Sequence, residues 1–314
     1  MHLLTIGETL GVGATRPGNP LRTAAELRLS TAGAEATVAI GVSRLGHRVS
    51  YVGCVGDDAL GRRVLRDLAG ERVEVQHLHT VAGRPTGFML RDLRTADRTV
   101  VTYYRDGSAG SAVRPAHVDF AFDALPTVDL VHLTGITPAL SSDAEQAVRR
   151  AIERAHRAGI EVSFDVNHRH GLARSATVPG VLRTILERST VVFVGDDELA
   201  VLGLPADPEA AAAVLARGPG EVVVKRGRDG AFAALADGTT AATAAPDVTV
   251  ADVIGAGDSF VAGYLAARAE GRPLAERLAQ GTFCAARTVG TSGDWEGLPM
   301  RHEMTAAALT GVTR

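Results

Sequence analysis

The run Asp252-Val253-Ile254-Gly255-Ala256-Gly257-Asp258-Ser259-Phe260 has the residue types and spacing for chemistry on a phosphate. Gly255 and Gly257 break out of an apolar, strand-like approach. Phe260, Val261, Tyr264 and Leu265 then recur at helical spacing until Gly271 and Pro273 stop the helix. A glycine turn that opens a helix leaves backbone N–H groups unpaired, and together with the helix dipole these make an anion site. An acid beside such a site is electrostatically awkward unless it has a task. Asp258 could take the proton of whatever attacks a phosphate held by Gly255, Ala256 and Gly257. On local grounds a structural turn with a capping aspartate is an equally simple account. Phe260 occupies the third glycine position of a dinucleotide fingerprint, and no Gly-Lys-Ser/Thr of a Walker loop occurs in the chain.

Residues with chemical potential need strands and helices to bring them together. Apolar strands are expected at 3–6, 49–55, 130–133, 161–165, 191–194 and 221–225. Helices are expected at 36–45, 59–69, 142–158, between 165 and 191, and over the Ala-rich piece 209–216. Their alternation predicts an α/β fold, a doubly wound, mostly parallel sheet covered on both faces. Ligands then bind beyond the carboxyl ends of the strands. Asp165-Val166-Asn167-His168-Arg169, Gly195-Asp196-Asp197-Glu198 and Lys225-Arg226-Gly227 each follow a strand, and their convergence with Gly255–Asp258 carries more weight than any one motif. Two polar, Gly- and Thr-containing stretches, about 9–31 and 84–106, read as exposed β structure. The second is two strands, 86–93 and 99–104, around the tip Arg94-Thr95-Ala96-Asp97. Together they are expected to form a small sheet serving as a lid on a single domain spanning 1–314.

Several local features have a plain reading beside the functional one. Asp196, Asp197 and Glu198 suit a solvated helix start, or a hold through water on magnesium, which keeps much of its water shell. His168-Arg169-His170 has the wrong spacing for a usual zinc site. His132 lies inside an apolar strand and reads as a core histidine. Tyr103-Tyr104-Arg105 is plain β surface or, near a lid edge, a reader of a polyhydroxylated anion.

A net charge of −3 over 314 residues, with dispersed basic residues, gives no electrostatic case for nucleic acid or an anionic membrane. Two distant cysteines, Cys54 and Cys284, argue against a disulfide scaffold or a Cys metal site and suit a reducing cytoplasm. The N-terminus reads as a strand rather than a signal peptide, and no apolar run is long enough for a membrane span. Of 33 basic residues only Lys225 is lysine. It is either a chance survivor of arginine-rich usage or a compact point charge wanted at a phosphate.

These residues carry a resemblance. Asp252–Asp258 resembles the C-terminal signature of the ribokinase-type (PfkB) carbohydrate kinases. Ala32-Gly33-Ala34-Glu35-Ala36-Thr37-Val38-Ala39, Leu45-Gly46 and Val55-Gly56-Asp57-Asp58-Ala59-Leu60-Gly61 resemble their N-terminal region. The match runs nearly end to end with motif order kept. It implies a doubly wound core with a β lid built from two separate segments. Tyr103-Tyr104-Arg105-Asp106-Gly107-Ser108-Ala109, Gly135–Leu140, Asp165–Arg169 and Gly293-Asp294-Trp295-Glu296-Gly297-Leu298-Pro299 are most similar to 2-keto-3-deoxygluconate kinases. The resemblance implies that Gly33, Tyr103, Arg105, Arg169, Asp258 and Asp294 line a sugar-acid site. It assigns Lys225, Gly227, Gly230, Gly255, Gly257 and Gln280 to the nucleotide and phosphate region. This chain departs from the pattern at Ala32, where a second glycine is common, and at Thr37, where asparagine is usual. Met89 stands in place of a substrate-facing tyrosine, Gly195 in place of Asn or Ser in an Asn-x-x-Glu motif, and Gln280 in place of an adenine-side asparagine.

The expected activity is ATP-dependent phosphorylation of a sugar acid, foremost 2-keto-3-deoxygluconate, with Mg2+ on the phosphates and Glu198 acting through water. Arg105 and Arg169 would grip the carboxylate, and exposed lid sheets would pair two or more copies. Rival readings are a kinase for fructose, ribose, 2-keto-3-deoxygalactonate or a nucleoside, a non-catalytic sugar-phosphate sensor, and a dinucleotide oxidoreductase, which the missing fingerprint disfavours.

Overall fold

The computed structural model describes residues 1–95, 98–169, 171–172, 178–204 and 209–304. Ala96, Asp97 and His170 of the segments discussed above lie outside them. In chain order the strands are β1 (His2–Ile6), β2 (Leu10–Ala14), β3 (Arg28–Ala32), β4 (Arg48–Gly56), β5 (Leu78–Val81), β6 (Phe88–Thr95), β7 (Arg98–Tyr104), β8 (Leu130–Thr134), β9 (Glu161–Asp165), β10 (Val191–Gly195), β11 (Glu221–Lys225), β12 (Ala231–Leu235) and β13 (Thr240–Thr243). The helices are α1 (Ala34–Arg44), α2 (Ala59–Gly70), α3 (Pro115–Ala124), α4 (Thr137–Leu140), α5 (Ser142–Ala158), α6 (Val178–Leu186), α7 (Glu209–Leu215), α8 (Ala256–Ala269) and α9 (Leu274–Val289).

The large sheet has the order β13-β12-β11-β10-β9-β8-β1-β4-β5. From β11 through β5 every neighbouring pair is parallel, and β12 and β13 add an antiparallel edge. Continuous apolar runs such as Val191–Val194 are buried on both faces, as parallel strands between helix layers require. Alternate residues serve opposite layers. Leu4, Ile6, Val192 and Val194 join one core with α5 and α6, while Leu3, Val191 and Phe193 join another with α1, α8 and α9. Each fully buried side chain of this kind stabilises the fold by about 1.5–3 kcal/mol. In α5, Ala144, Ala147, Val148, Ala151, Ile152 and Ala155 form the buried stripe. Ser141 caps the first turn on the Ala144 N–H at 3.0 Å, and Gly159 ends the helix at φ +67°.

The second sheet has four strands in the order β3-β2-β6-β7 and is separate from the first. Its strands come from both polar stretches. The expectation of exposed β structure fails for β2, of which Leu10–Gly13 are buried. β2 lies between β3 and β6, and its glycines remove side chains so that neighbours can press in. A Cβ on Gly11 would stand 2.8 Å from Leu60, and one on Gly13 2.9 Å from Phe88. Between Ala14 and Arg28 the chain makes turns rather than strands.

The chain runs from β1 to β4 and β5 on one side, then returns to β8, β9, β10 and β11 on the other. The strand order therefore reverses between β1 and β8. A crevice opens at such a switch point, beyond the carboxyl ends of the strands.

Candidate active site

Helix α8 starts without a side-chain cap. Gly255 is its N-cap in the left-handed region at φ +80°, and a Cβ there would lie 2.4 Å from the Asp294 carbonyl oxygen. Only glycine meets both demands. The Ala256 N–H turns back to the Val253 carbonyl at 3.4 Å, while the N–H groups of Gly257 and Asp258 are left to bind an anion along the helix axis. Gly257 is bare on the side that faces Lys225, whose Nζ lies 3.5 Å from where a Cβ would be. Lys225 ends β11 and reaches across to Asp165 at the end of β9, with Nζ 2.8 and 2.6 Å from the two carboxylate oxygens. Burial works against the ammonium, but Asp165, Glu198 and Asp258 outweigh it and hold the lysine pKa above its ordinary value. The result is a compact cation beside an uncapped helix start.

Asp258 is buried in the first turn of α8. Asn167, after β9, donates from Nδ2 to its Oδ1 at 2.9 Å. Asn167 is itself buried with φ +37°, a left-handed backbone that asparagine tolerates better than most residues. Burial raises the Asp258 pKa to about 6; Lys225 and Arg169 oppose the shift, while Asp294 and Glu35 add to it. A carboxylate with a pKa near neutrality, oriented by an amide and set beside an anion site, is equipped to accept a proton. Glu198 uses Oε2 to accept the Gly195 N–H and Oε1 to accept the His168 N–H, each at 2.7 Å. It therefore ties the loop after β10 to the loop after β9. Each oxygen keeps a lone pair for water.

A cleft of about 70 Å³ lies under the small sheet. Gly33, Tyr103, Arg105, Arg169, Gly255, Asp258 and Asp294 all line it, with Glu8, Glu35 and Met89. Tyr103 is half exposed, and the Arg105 guanidinium lies 5.4 Å from its ring centre. Arg105 is not free. Its Nε donates to Glu8 Oε2 at 2.8 Å, its Nη2 contacts the same oxygen, and Ser108 holds the other. Glu8 is buried, and glycines make its berth. A Cβ on Gly87 would come 2.7 Å from its Oε1, and one on Gly110 2.2 Å from its Cγ. Gly33 lets the chain pass the Glu8 carbonyl, which a Cβ would approach to 2.6 Å. Arg169 is exposed and, among the described residues, makes a 3.5 Å contact to the His168 carbonyl. Asp294 is bonded to the buried Arg91, which also faces Asp252 at 3.5 Å. Burial raises the Asp294 pKa to about 6 against the pull of Arg91.

Glu35 is wholly buried at the start of α1. Thr134 and Thr137 each donate to its Oε1 at 2.6 Å, while Oε2 has no hydrogen-bond partner among the described residues. Burial raises its pKa, with the two threonines opposing. Met89 places an apolar side chain in the cleft, 3% exposed.

Three of the residues expected at the nucleotide stand apart from this cleft. Gly227 begins a turn after β11 at φ +53° with open space around it. Gly230 permits the close approach of β13, since a Cβ would lie 1.9 Å from the Thr243 carbonyl oxygen. Gln280 is buried in α9 and donates to the Gly263 carbonyl of α8 at 3.1 Å. His132 is a core histidine, bonded to Ser163 at 3.1 Å. Sequence reasoning gave no role to Glu8, Arg91 or Asn167. Their signals were a polar residue just past a buried strand, an arginine among apolar residues of a strand, and an asparagine two residues after the Asp165 strand end.

The pfkB family carbohydrate kinase description matches residues 2–301. The chain is 35% identical to a 2-dehydro-3-deoxygluconokinase of Thermoproteus tenax, over 96% of this chain and 93% of that one. It is 31% identical to a 2-dehydro-3-deoxygalactonokinase of Haloferax volcanii, over 93% and 92%. A solved Escherichia coli structure described as a ribokinase II in complex with ATP and Mg2+ superposes with a TM-score of 0.88 at 26% identity, covering 96% of each chain. With a matching family model over nearly its whole length, a ribokinase-like fold and a glycine turn at the head of α8, this chain belongs to the pfkB family of carbohydrate kinases.

Proposed function

We propose that the protein transfers the γ-phosphoryl group of ATP to a hydroxyl of a sugar acid, and that 2-keto-3-deoxygluconate, converted to its 6-phosphate, is the acceptor. The observation that carries this reading is the buried Asp258 in the first turn of an uncapped helix start, at a cleft that Arg169 also lines. Asp258 takes the proton of the attacking hydroxyl as the new O–P bond forms and the bridging O–P bond to ADP breaks. The N–H groups of Gly257 and Asp258 hold the charge of the phosphoryl oxygens, as an oxyanion hole does. Lys225 adds a point charge behind them. Arg169 takes the substrate carboxylate, for which a planar guanidinium is a bidentate match. Mg2+, when bound, neutralises the nucleotide phosphates, and Glu198 is suited to hold it through water.

The small sheet acts as the lid, keeping water from competing as phosphoryl acceptor. Leu29, Val100 and Tyr104 stand exposed on it, and β7 is an edge strand, which supports pairing of two copies through this sheet. Cys54 and Cys284 are free thiols, in keeping with a cytoplasmic location. No described helix is long and apolar enough to cross a membrane.

Met89 favours a second acceptor, 2-keto-3-deoxygalactonate. An apolar side chain where these kinases carry a tyrosine removes one hydroxyl contact that could select an epimer. The deciding experiment measures ADP release with 2-keto-3-deoxygluconate, 2-keto-3-deoxygalactonate, fructose, ribose and adenosine. Highest kcat/KM on an uncharged sugar or on adenosine would overturn the sugar-acid reading. No turnover with any of them would favour a sensor.

A further inference from the structure

The catalytic turn is formed by a loop far from the small sheet in sequence, yet one side chain joins them. Arg91 lies in β6, paired with Ala14 on one side and Val101 on the other. It shares a strand face with Met89 and is 2% exposed. Its Nη2 bonds Asp294 Oδ1, and its Nη1 is 3.5 Å from Asp252 Oδ2. These two acids bracket the glycine turn. Asp252 opens it and uses its other oxygen to accept the Ile254 N–H at 3.1 Å. Asp294 closes it from above, its carbonyl oxygen standing where a Cβ on Gly255 would clash. Further fixed points are the N–H groups of Ala251 and Asp252, both donated to the Val289 carbonyl at the end of α9, and the Ala256 N–H, donated to the Val253 carbonyl at 3.4 Å. Arg91 is thus the side chain from the small sheet that holds the turn on both flanks.

We propose that Arg91 is a positioning residue: docking of the small sheet on the core brings its guanidinium between Asp252 and Asp294, and this sets the shape of the anion-holding turn from Gly255 to Asp258. A planar fork spans two carboxylates at once, which a single ammonium on a flexible stem cannot do. The anion site is therefore complete only when the sheet is seated. Arg91 acts on the reaction through Asp252 and Asp294 and not by touching the phosphate. The inference rests on the reading of this turn and Asp258 as the transfer centre.

The test is a kinetic double-mutant cycle on the full chain, using ATP and the acceptor of highest kcat/KM from the substrate panel, with thermal melts alongside. Arg91→Lys keeps the charge and loses the fork. It should lower kcat about 10–100-fold while the KM for ATP moves little. Asp252→Asn keeps the Ile254 N–H bond and loses the ion pair, and should lower kcat by a smaller factor. The double variant should be no slower than Arg91→Lys, because both changes break one linkage. Additive losses, or a variant whose only change is a higher KM for the acceptor, would overturn the proposal, the latter by making Arg91 a fastener of the sheet alone. If Arg91→Lys lacks a cooperative melt, Arg91→Gln serves the same cycle with the same criteria. Failure of the underlying reading is distinguishable, since Asp258→Asn would then retain turnover. Failure of this inference alone would show as an inactive Asp258→Asn beside a fully active Arg91→Lys.

Discussion

At one end of the cleft the groups suited to an anion are backbone N–H donors at the head of α8, with Lys225 behind them. At the other they are guanidinium groups, and Arg105 already faces Glu8. The difference is one of adjustability. A helix start presents fixed dipoles that need no side-chain ordering, and it suits a phosphate that is the same in every reaction. Ion pairs between distant strands can be redistributed by a few substitutions, and they suit the part of the substrate that varies. Arg169, exposed and without a carboxylate hydrogen bond among the described residues, is where the second end offers a charge.

The contrast can be broken or sharpened by measurement. Asp258→Asn carries the largest expected effect, a fall in kcat of roughly 10²–10⁴ with little change in ATP affinity. Near-normal turnover would remove the transfer end from the account. Arg169→Ala should cost a carboxylated acceptor about 10–100-fold in kcat/KM, in line with the roughly 1.5–3 kcal/mol of a charged hydrogen bond. An uncharged analogue should lose far less, and equal losses would show that Arg169 does not read the carboxylate. The pH profile comes next. Asp258 must be ionised to accept a proton and its pKa is raised to about 6. The kcat/KM should therefore hold above that value and fall as pH drops through it, approaching tenfold per unit. A profile flat down to about pH 4.5 would place the base elsewhere.

The smallest effect concerns Glu35. Its folded-state pKa is raised by burial, so its contribution to stability is fully present below the ordinary carboxylate pKa and is lost as pH rises from there through the raised value. Glu35→Gln removes that dependence. Its melting temperature relative to wild type should climb as pH rises above the ordinary carboxylate value of 4.5. A constant difference across that range would mean that Glu35 is ionised in the folded protein.

The core strands were legible because buried parallel strands are short continuous apolar runs, and Glu161–Asp165 and Glu221–Lys225 were expected at their observed bounds. The polar clusters at their carboxyl ends were legible for the same reason, since a strand end fixes where the next residues point. β12 and β13 were not anticipated. Ala-Phe-Ala-Ala-Leu and Thr-Ala-Ala-Thr carry little strand propensity, and it is pairing with β11 that makes them strands. β2 was read as exposed because its glycines look like loop residues, whereas here they admit Leu60 and Phe88. The partners of Arg105 and Arg91 lie 97 and 203 residues away in the chain. No local pattern foretells a pair of that separation, and an unpaired reading of Arg105 followed. Gln280 was placed by its position in a motif, and no local pattern announced the bond its amide makes from α9 to the Gly263 carbonyl of α8.

The lone lysine gives the protein a built-in spectroscopic reporter. One ε-amine in 314 residues means that reductive methylation with a carbon-13 label would yield resonances from only the α-amine and Lys225. Its side chain is 17% exposed, its charge is shared with Asp165, and it stands beside the bare face of Gly257. The shift of that single resonance would follow the arrival of phosphate at the helix start directly, without a coupled assay and before any acceptor is known.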